Sequence, residues 1–389
     1  MPLPYLTQAQ APLTSEIEAV NEFGVLQKVS IPAERALTVY VDKRELVTLM
    51  TLGANPELLV LGYLRNQRLV REVTDIESIT VDWEVGAAAV KTVHGIEDIE
   101  ARTAHRVVTT GCGQGSVFGG LMDEVDQIVL PVSSHITQGQ LYGLVNTIRL
   151  KETTYKSAGS VHACALFSTA SGTAEMLLFV EDVGRHNAID TIAGWMWMWK
   201  APTLPTACGS LPPEGAAAPA VWQSQSRGPG WIESDAATLV GSRTAPPLQE
   251  NAAPAAWQSR FFGPDWDQES SLPAFSEALP GTRPASELPP LPLGEGRGEG
   301  SPAADTTGLV FYTTGRLTSE MVIKSAQMGV PVVVSRSGIT QMGHQVAQSV
   351  GLCAIGRATN RRFLCYTHSE RLVLEPGLAG TPLVANPAD

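Results

Sequence analysis

Residues Phe179 to Asp190 read FVEDVGRHNAID, and this stretch decides the class of the fold. The apolar run Met176–Val180 predicts a strand that ends in two acidic residues. Gly184, Arg185 and His186 follow where a helix begins. Polar residues between the carboxyl end of a strand and a helix N-terminus are typical of ligand sites in α/β proteins. The sequence therefore predicts an α/β fold with a ligand site at this strand end.

The polar residues of this stretch suit a nucleotide or another anionic ligand. Gly184 allows the backbone to approach a ligand closely, and Arg185 suits a phosphate or a carboxylate. Asp182 can orient a neighbouring base or ribose. The alternative is a purely structural turn, with Asn187 as the N-cap of the helix.

Two more segments with the same order of strand, polar turn and helix lie near the end of the chain. They comprise Leu309–Tyr312, Thr313–Arg316 and a helix from about Thr318, and then Val330–Val334, Ser335–Gly338 and Ile339–Val350. Strands that alternate with helices of about 10–15 residues predict parallel βαβ units. The polar turns then meet at one edge of one sheet. They add Gly315, Arg316 and Ser335 to the candidate site, with the hydroxyls of Ser319 and Ser337 nearby.

Composition excludes several classes of partner. The chain has 389 residues and a net charge of −12, which disfavours nucleic acids and anionic membranes. Residues 201–306 hold 12 acidic residues and five arginines, so much of the negative charge is local. No run approaches the length of a membrane span, and the first 20 residues lack the regions of a secretory signal. Five scattered cysteines fit a reducing compartment, so we expect a cytoplasmic protein.

The composition also divides the chain into regions. We predict an N-terminal domain that carries the Cys112 loop, followed by a C-terminal α/β domain that an insertion interrupts. The expected regions are a disordered lead (1–28), the N-terminal domain (29–133), the first part of the C-terminal domain (134–200), the insertion (201–306), the second part (307–376) and a tail (377–389). Helix starts are predicted at Asn55-Pro56 and, through a capping box of Thr137 and Gln140, before a helix that runs to Leu150.

The insertion has the composition of a disordered, low-complexity segment. It contains 17 of the 27 prolines, and a 15-residue sequence ending at Trp231 returns imperfectly 35 residues later, ending at Trp266. Two copies are too few for a repeat protein. The alternative is a tryptophan-containing motif that docks a partner.

Cys112 is the best candidate for a reactive thiol. It lies in Thr109–Ser116, which reads TTGCGQGS, and glycines on both sides favour an exposed thiol over a packed one. Cys164 and Cys353 lie in apolar runs and are expected to be core residues.

Two further clusters allow two interpretations each. His162 and Cys164 resemble half of a zinc-deaminase site, but neither the P-C-x-x-C run nor the glutamate follows. We therefore predict no zinc and expect His162 to be a hydrogen-bonding or pocket residue. Arg361 and Arg362 precede Phe363–His368 and either meet an anionic ligand or mark the exposed end of a last strand.

Five motifs in this order together resemble the FdhD family, the accessory sulfurtransferases of formate dehydrogenase. They are GCGQG at 111–115, SAGSVHACAL at 157–166, EDVGRHNAID at 181–190, TTGRLTSEM at 313–321 and GVPVVVSRSG at 329–338. The resemblance covers about residues 30–199 and 307–376 and leaves the insertion outside.

The resemblance implies a smaller N-terminal domain and a C-terminal α/β/α domain similar to the cytidine deaminase fold, without zinc. It implies that Cys112 receives sulfur as a persulfide from a cysteine desulfurase. The sulfur then passes to the molybdenum of bis-molybdopterin guanine dinucleotide before this cofactor enters formate dehydrogenase. A homodimer is also implied. The residues that match the family's cofactor-binding segment are Phe363, Leu364, Cys365, Tyr366, Thr367 and His368.

The sequence departs from the family pattern at one position of the cysteine loop. Many members have a second cysteine three positions after the first, where this chain has Gly115. A relay with a single thiol is therefore the simpler interpretation. The rival hypothesis is a nucleotide-binding regulatory or chaperone module in which Cys112 is incidental, and a zinc deaminase is a more distant third.

Overall fold

The computed structural model describes residues 3–96, 99, 106–109, 115–118, 128–151, 154–200 and 306–378, with the backbone alone at 106–109, 115–118 and 199–200. All of these residues belong to one unit. Cys112, residues 201–305 and tail residues 379–389 lie outside the described residues, so the predictions made for them stay predictions. Within the described part of the chain, no helix is long and apolar enough to cross a bilayer.

The N-terminal part is built around a sheet of alternating buried and exposed residues. The elements of this part are β1 (Tyr5–Leu6), β2 (Thr14–Val20), β3 (Leu26–Pro32), β4 (Arg35–Val41), β5 (Arg44–Thr51), α1 (Pro56–Asn66), β6 (Ile76–Asp82), β7 (Ala87–Thr92), β8 (Arg106–Thr109) and β9 (Gly115–Phe118). The strands of the sheet, in the order β1-β6-β7-β4-β5, pack against helix α1, and apolar side chains such as Leu37, Ile79 and Leu61 form a core between them.

The prediction of a disordered lead over residues 1–28 is wrong for the residues that the structure describes. Strand β1 extends the N-terminal sheet by pairing with β6, and β2 and β3 form an antiparallel hairpin. Asn21 stabilises its turn, because the side-chain oxygen accepts hydrogen bonds from the N–H groups of Phe23 and Val25 at 3.0 Å. Local turn chemistry therefore orders a segment that has little apolar surface to bury.

The C-terminal part contains one mixed sheet with strand order β12-β11-β13-β14-β15-β16. Its elements, together with a short pair of strands β10 and β17, are β10 (Ile136–Thr137), α2 (Gln138–Lys151), α3 (Thr154–Ala158), β11 (His162–Ser168), β12 (Glu175–Asp182), α4 (Arg185–Lys200), β13 (Leu309–Thr313), α5 (Ser319–Gln327), β14 (Val332–Ser335), α6 (Gln341–Ser349), β15 (Cys353–Thr359), β16 (Arg362–Cys365) and β17 (Leu372–Val373).

The C-terminal sheet lies between two helical layers. Leu141 and Leu144 of α2 pack with Phe167 and Ile355 on one face. Helices α4, α5 and α6 cover the opposite face, where Phe311 belongs to the core. The predicted α/β class is therefore confirmed, with two apolar cores separated by one sheet. The specific similarity to cytidine deaminases stays a prediction.

The parallel βαβ arrangement expected near the end of the chain is correct for β13, β14 and β15, and β12 runs in the same direction. However, β12 is not a neighbour of β13, because β11 lies between them and is antiparallel to both, and β16 is antiparallel to β15. The short connections 169–174 and 360–361 account for the antiparallel pairing of β11 with β12 and of β15 with β16, because strands joined by a tight turn pair antiparallel.

Helix ends follow the sequence signals at most positions. The Thr137 N–H donates to Gln140 Oε1 at 2.9 Å, and the Gln140 N–H donates to Thr137 Oγ1 at 3.2 Å, which confirms the capping box. Gly329 and Gly351 have φ angles of +76° and +72°, as the ends of α5 and α6 require. Asn55 precedes α1 as predicted, but its side chain makes no capping hydrogen bond.

Helices α1 and α4 cross in direct backbone contact and join the two parts of the molecule. A Cβ on Gly62 of α1 would overlap the Asp190 carbonyl oxygen, and a Cβ on Gly194 of α4 would overlap the Leu58 carbonyl oxygen. Trp197 of α4 packs against the N-terminal core, whereas the first half of α4 packs against the C-terminal core. The two glycines therefore allow one helix to serve both cores.

We expect Gly194→Ala to lower the free energy of unfolding by at least about 2 kcal/mol, because a methyl group cannot fit against the α1 backbone. The measurement is urea denaturation of the full chain. The matched control is Gly143→Ala in α2, where an added Cβ meets no atom within 4 Å and the residue is exposed. That control should gain about 0.5–1 kcal/mol, since alanine favours helices. Equal stability of the two variants would contradict the proposed helix contact.

Candidate functional site

The polar strand ends that the sequence singled out do meet at one edge of the C-terminal sheet. Asp182 ends β12, and Thr313 and Ser335 end β13 and β14. His162 begins the antiparallel strand β11 and pairs with Asp182, and Cys164 pairs with Thr313. Because β12, β13 and β14 run in the same direction, their carboxyl ends form a single surface, called here the carboxyl edge.

Asp182 is the polar centre through which the N-terminal part holds this edge. Its Oδ2 accepts hydrogen bonds from Thr51 Oγ1 at 2.6 Å and from the Leu52 N–H at 3.1 Å. Its Oδ1 accepts from the Gly184 N–H at 3.0 Å and from Asn187 Nδ2 at 2.9 Å. Burial raises the pKa of Asp182, and these hydrogen bonds oppose the shift.

This geometry changes two predictions about the VGRHN turn. Both oxygens of Asp182 already have two donors, so the carboxylate orients the turn and the β5 end rather than a base or a ribose. Asn187 is not the N-cap, because it lies inside α4 and its Nδ2 also donates to the Met50 carbonyl at 2.6 Å.

Arg185 and Arg316 are brought close together, as predicted, but they differ in exposure. The Arg185 side chain is buried, with 4% of the residue exposed, and it packs on Gly315, where a Cβ would lie 2.7 Å from Arg185 Cδ. Arg316, the next residue, is exposed. Burial lowers the pKa of the half-buried His162, and the charges of Arg185 and Arg316 lower it further. The edge therefore combines positive charge with a neutral imidazole.

His186 belongs to a buried chain of polar groups that links three helices. Its Nε2 lies 3.2 Å from Glu320 Oε2, and Glu320 Oε1 lies 3.3 Å from Lys324 Nζ. Lys324 Nζ also contacts Asp190 Oδ2 at 2.8 Å, and Asn66 Nδ2 donates to Asp190 Oδ1 at 2.7 Å. The structure thus places His186 inside the packing of α1, α4 and α5 and away from the exposed edge.

The buried charges of this group of polar side chains compensate one another. Burial favours the neutral form of Lys324, but Asp190 and Glu320 outweigh it and raise the pKa of Lys324. Burial also opposes ionisation of Glu320, but Lys324 and His186 lower its pKa overall. The ammonium group of Lys324 therefore holds the cluster together.

The serine hydroxyls of the β14 turn are engaged within the protein. Ser335 Oγ donates to the Gly315 carbonyl at 2.6 Å and accepts from the Ser337 N–H at 2.9 Å. Ser337 Oγ donates to the Thr314 carbonyl at 3.0 Å. These bonds tie the turns after β13 and β14 together, so both hydroxyls shape the edge. Ser319 begins α5 and is half-buried.

Three exposed arginines lie at the carboxyl edge, on or directly after three neighbouring strands. Arg316 and Arg336 come after β13 and β14, and Arg357 lies where β15 extends beyond β14. The Arg336 N–H donates to the Thr313 carbonyl at 3.0 Å, and the Arg357 N–H donates to the Ser337 carbonyl at 2.8 Å. The sequence interpretation missed Arg336 and Arg357 as site residues, although the SRSG turn contains the first of them.

The same edge continues into the hairpin between β15 and β16. Arg361 and Arg362 are exposed there, and Arg362 pairs with Thr359. The interpretation of this segment as a last strand is therefore correct. Its exposed end also extends the row of positive charge.

The predicted cofactor segment 363–368 does not present all of its side chains in one direction. Phe363 lies on the α2 face, where its ring centroid is 6.2 Å from that of Tyr142. Tyr366 packs over Gly356, because a Cβ there would lie 2.6 Å from Tyr366 Cε2 and 2.8 Å from the Ser337 carbonyl oxygen. Leu364 is 47% exposed. Side chains alternate along a strand, so a single ligand can meet only part of this segment from one face.

The end of the segment turns away from the carboxyl edge. The buried Thr367 Oγ1 donates to the Leu352 carbonyl at 2.7 Å, beside the start of β15. His368 has a φ angle of +49°, and its Nε2 lies 3.0 Å from the Gln348 carbonyl oxygen at the end of α6. The structure therefore brings Tyr366 near the β14 turn but places Thr367 and His368 at the opposite end of β15.

Cys112 lies outside the described residues, but the strands that flank it are described. Thr109 of β8 pairs with Gly115 of β9 in an antiparallel hairpin, so segment 110–114 joins two paired strands. Gly115–Phe118 forms the strand β9.

Cys164 is a core residue, as expected. It is fully buried, and its Sγ lies 3.3 Å from Thr313 Oγ1, to which it donates. Burial raises the pKa of Cys164 to about 12, so this thiol stays protonated near neutral pH. In the part of the chain that the structure describes, no three or more His, Cys, Asp or Glu side chains form a group that could hold a metal ion.

Comparison with known protein families gives one match that covers most of the chain. The model of the FdhD/NarQ family matches residues 32–206 and 297–373. The chain is 23% identical to the protein named sulfur carrier protein FdhD of Bacillus subtilis (strain 168) over 353 residues, which cover 90% of this chain and 94% of that protein. It is 29% identical to the protein of the same name in Listeria innocua over 178 residues, which cover 44% of this chain and 66% of that protein.

A solved structure supports the same architecture. The crystal structure of a putative formate dehydrogenase accessory protein from Desulfotalea psychrophila superposes with a TM-score of 0.56 and covers 93% of this chain and 100% of that chain. The sequences are 15% identical, so this likeness concerns the fold.

We expect Lys324→Met to lower the free energy of unfolding by about 3–5 kcal/mol, because it leaves two buried carboxylates without their cation. The matched control is Lys91→Met. Lys91 contacts Glu77 at the same 2.8 Å, but its side chain is 46% exposed, against 3% for Lys324. An exposed pair contributes at most about 1 kcal/mol. Urea denaturation measures both, and similar losses for the two variants would contradict a compensated buried cluster.

Proposed function

Since the chain belongs to the FdhD/NarQ family, we propose that it is a sulfur carrier required for formate dehydrogenase activity. Family membership carries this proposal. In the proposed cycle, a cysteine desulfurase loads sulfur onto Cys112. The protein then passes that sulfur to the molybdenum of bis-molybdopterin guanine dinucleotide, and formate dehydrogenase receives the sulfurated cofactor.

The loading step is a thiol exchange that needs one nucleophilic thiolate. The Cys112 thiolate attacks the terminal sulfur of the persulfide on the desulfurase and takes it, and the desulfurase cysteine leaves as a thiolate. The exchange needs no oxidant, because the transferred sulfur carries its oxidation state with it. Cys112 lies in sequence between strands β8 and β9, which pair with each other.

The positive carboxyl edge supports binding of an anionic cargo. The dinucleotide cofactor carries phosphates, and arginine holds phosphate oxygens through charge-assisted hydrogen bonds. Arg316 and Arg336 are exposed directly after β13 and β14, and Arg357 is exposed where β15 extends beyond β14. Tyr366, packed beside the β14 turn, offers an aromatic surface at the same place. Gly184 and Gly315 are buried behind this edge, where Asn187 and Arg185 pack against them.

Buried residues beneath this edge have a positioning role, because they maintain the shape of the edge. Arg185 and His186 are buried, and Ser335 bonds to the neighbouring turn. We therefore assign ligand contact to the exposed arginines and a positioning role to these three residues. Within segment 363–368, Leu364 and Tyr366 are the members that a cargo at this edge would meet first, because Phe363 lies on the α2 face.

The second candidate function is a nucleotide-binding regulatory or chaperone module. The arginine edge favours it equally, because a nucleotide and the dinucleotide cofactor present the same phosphate groups. Sulfur loading separates the two candidates. The proposed setting of the relay is the cytoplasm, where thiols stay reduced, and the proposed assembly is a homodimer.

We expect Cys112 to gain the mass of one sulfur atom when the full chain is incubated with a cysteine desulfurase and cysteine. Cys112→Ala should lose both this gain and the activation of formate dehydrogenase, because the accepting thiolate is gone. Intact-mass analysis and peptide mapping provide the measurement, and Cys164→Ala serves as the matched control because that thiol is fully buried. Sulfur found mainly on another cysteine would overturn the relay.

We expect Arg316→Ala and Arg357→Ala each to weaken binding of GDP, a probe for the guanine dinucleotide, by roughly tenfold through loss of a charge-assisted hydrogen bond. Arg71→Ala is the matched control, since Arg71 is also exposed but follows α1 in the N-terminal part. Calorimetry provides the affinities. Sulfur loading of Cys112 should survive all three substitutions. Unchanged GDP affinity in both edge variants would place the nucleotide elsewhere.

A further inference from the structure

Two cysteines outside the proposed relay lie in direct contact on the last two strands of the C-terminal sheet. Cys353 Sγ and Cys365 Sγ are 3.8 Å apart. Cys353 begins β15, and Cys365 ends β16. Ile355 pairs with Cys365, and Cys353 lies two residues before Ile355, so both thiols leave the same face of the sheet. This contact is a feature of the fold that the two separate sequence motifs do not reveal.

The two thiols differ in burial. Cys353 is fully buried in the core beneath α2, whereas Cys365 is half-buried on the edge strand β16. A hydrogen bond from Cys353 lowers the pKa of the Cys365 thiol, and the same contact together with burial raises the pKa of Cys353. Cys365 is therefore the thiol that a reagent from solvent can reach, and Cys353 contacts it from the core side.

In the described sheet, β16 is an edge strand, and only one of its two sides pairs with another strand. It is the last strand in the order and pairs with β15 alone. Its register with β15 is irregular between Gly356 and Thr359. A disulfide needs a sulfur–sulfur distance of about 2 Å, so the pair must approach by less than about 2 Å to close. A small shift of an edge strand satisfies that requirement.

We propose that Cys353 and Cys365 form a dithiol site that closes to an intramolecular disulfide on reaction with a low-molecular-weight disulfide such as glutathione disulfide. The Cys365 thiolate attacks one sulfur of the reagent, and one glutathione leaves as a thiolate and takes up a proton. The Cys353 thiol then loses its proton and attacks Cys365 Sγ, and the second glutathione leaves. Two protein thiols are oxidised, and one glutathione disulfide is reduced to two glutathione molecules.

This site is separate from Cys112 in sequence and in chemistry, and the proposal does not rest on the function proposed above. Its consequence for the fold is local. A closed pair joins the start of β15 to the end of β16, next to Tyr366 and Thr367. Oxidation would thus restrict the segment that leads from the edge strand to His368.

The test uses the full chain with Cys112→Ser and Cys208→Ser, so that the pair and the buried Cys164 are the remaining cysteines. This protein is incubated with glutathione disulfide, alkylated and mapped by mass spectrometry. We expect the loss of two hydrogen masses, a peptide pair joined through Cys353 and Cys365, and no retained glutathione. Because Cys112 is absent, failure of the sulfur relay cannot affect this result.

Three further substitutions in the same background separate the roles of the thiols. Cys353→Ser should trap a stable glutathione adduct on Cys365, since the resolving thiol is gone. Cys365→Ser should abolish reaction at Cys353, which is shielded from solvent. Cys164→Ser should leave closure unchanged, because that buried thiol contacts Thr313 and no second thiol. Absence of reaction with excess glutathione disulfide, or an adduct that persists on Cys365 while Cys353 is intact, would overturn the proposal.

Discussion

The close crossing of α1 and α4 is the constraint on which the rest of the structure depends. Gly62 and Gly194 let the two helix backbones touch, and no residue with a side chain fits at either position. Because of this contact, α4 contributes to both the N-terminal and the C-terminal core. The same helix begins at Arg185, so the position of the candidate site is set by helix packing.

Buried polar groups reinforce this crossing and fix the shape of the edge. Asp182 binds Thr51 and Leu52 of the N-terminal part as well as the turn before α4. Lys324 joins α5 to Asp190 of α4, which in turn holds Asn66 of α1. Each interaction satisfies groups that would be costly to bury alone. The charged residues left at the surface of the edge are arginines, and electrostatic attraction is therefore the chemistry that this edge offers a ligand.

The exposed arginines and the buried polar residues come from the same short turns. In the SRSG turn, Ser335 bonds to its neighbours while Arg336 is exposed. In the TTGR turn, Thr313 is buried and Arg316 is exposed. The small residues of one turn can thus stabilise the scaffold, while the arginine of the same turn contacts a ligand. This division explains why motifs of this length combine glycine, hydroxyl residues and arginine.

The sequence by itself determined the order of the elements and the identity of the strand ends that share an edge. Hydrophobic runs, glycines after helices and the capping box at Thr137 are local signals, and the structure bears them out at α2, α5 and α6. Local patterns failed where a turn ordered the segment before residue 28, and they gave no sign that β11 lies between β12 and β13.

Only the tertiary structure decided which polar residues are engaged and which are exposed. Asp182 is satisfied by Thr51, 131 residues earlier in the chain, and the Asp190 carboxylate meets Lys324 at a separation of 134 residues. The contact between Cys353 and Cys365 likewise depends on the pairing of β15 with β16. Periodicity reports on neighbours within a few residues, whereas burial and hydrogen bonding depend on packing between distant elements. The roles of the site residues therefore follow from the fold rather than from their motifs.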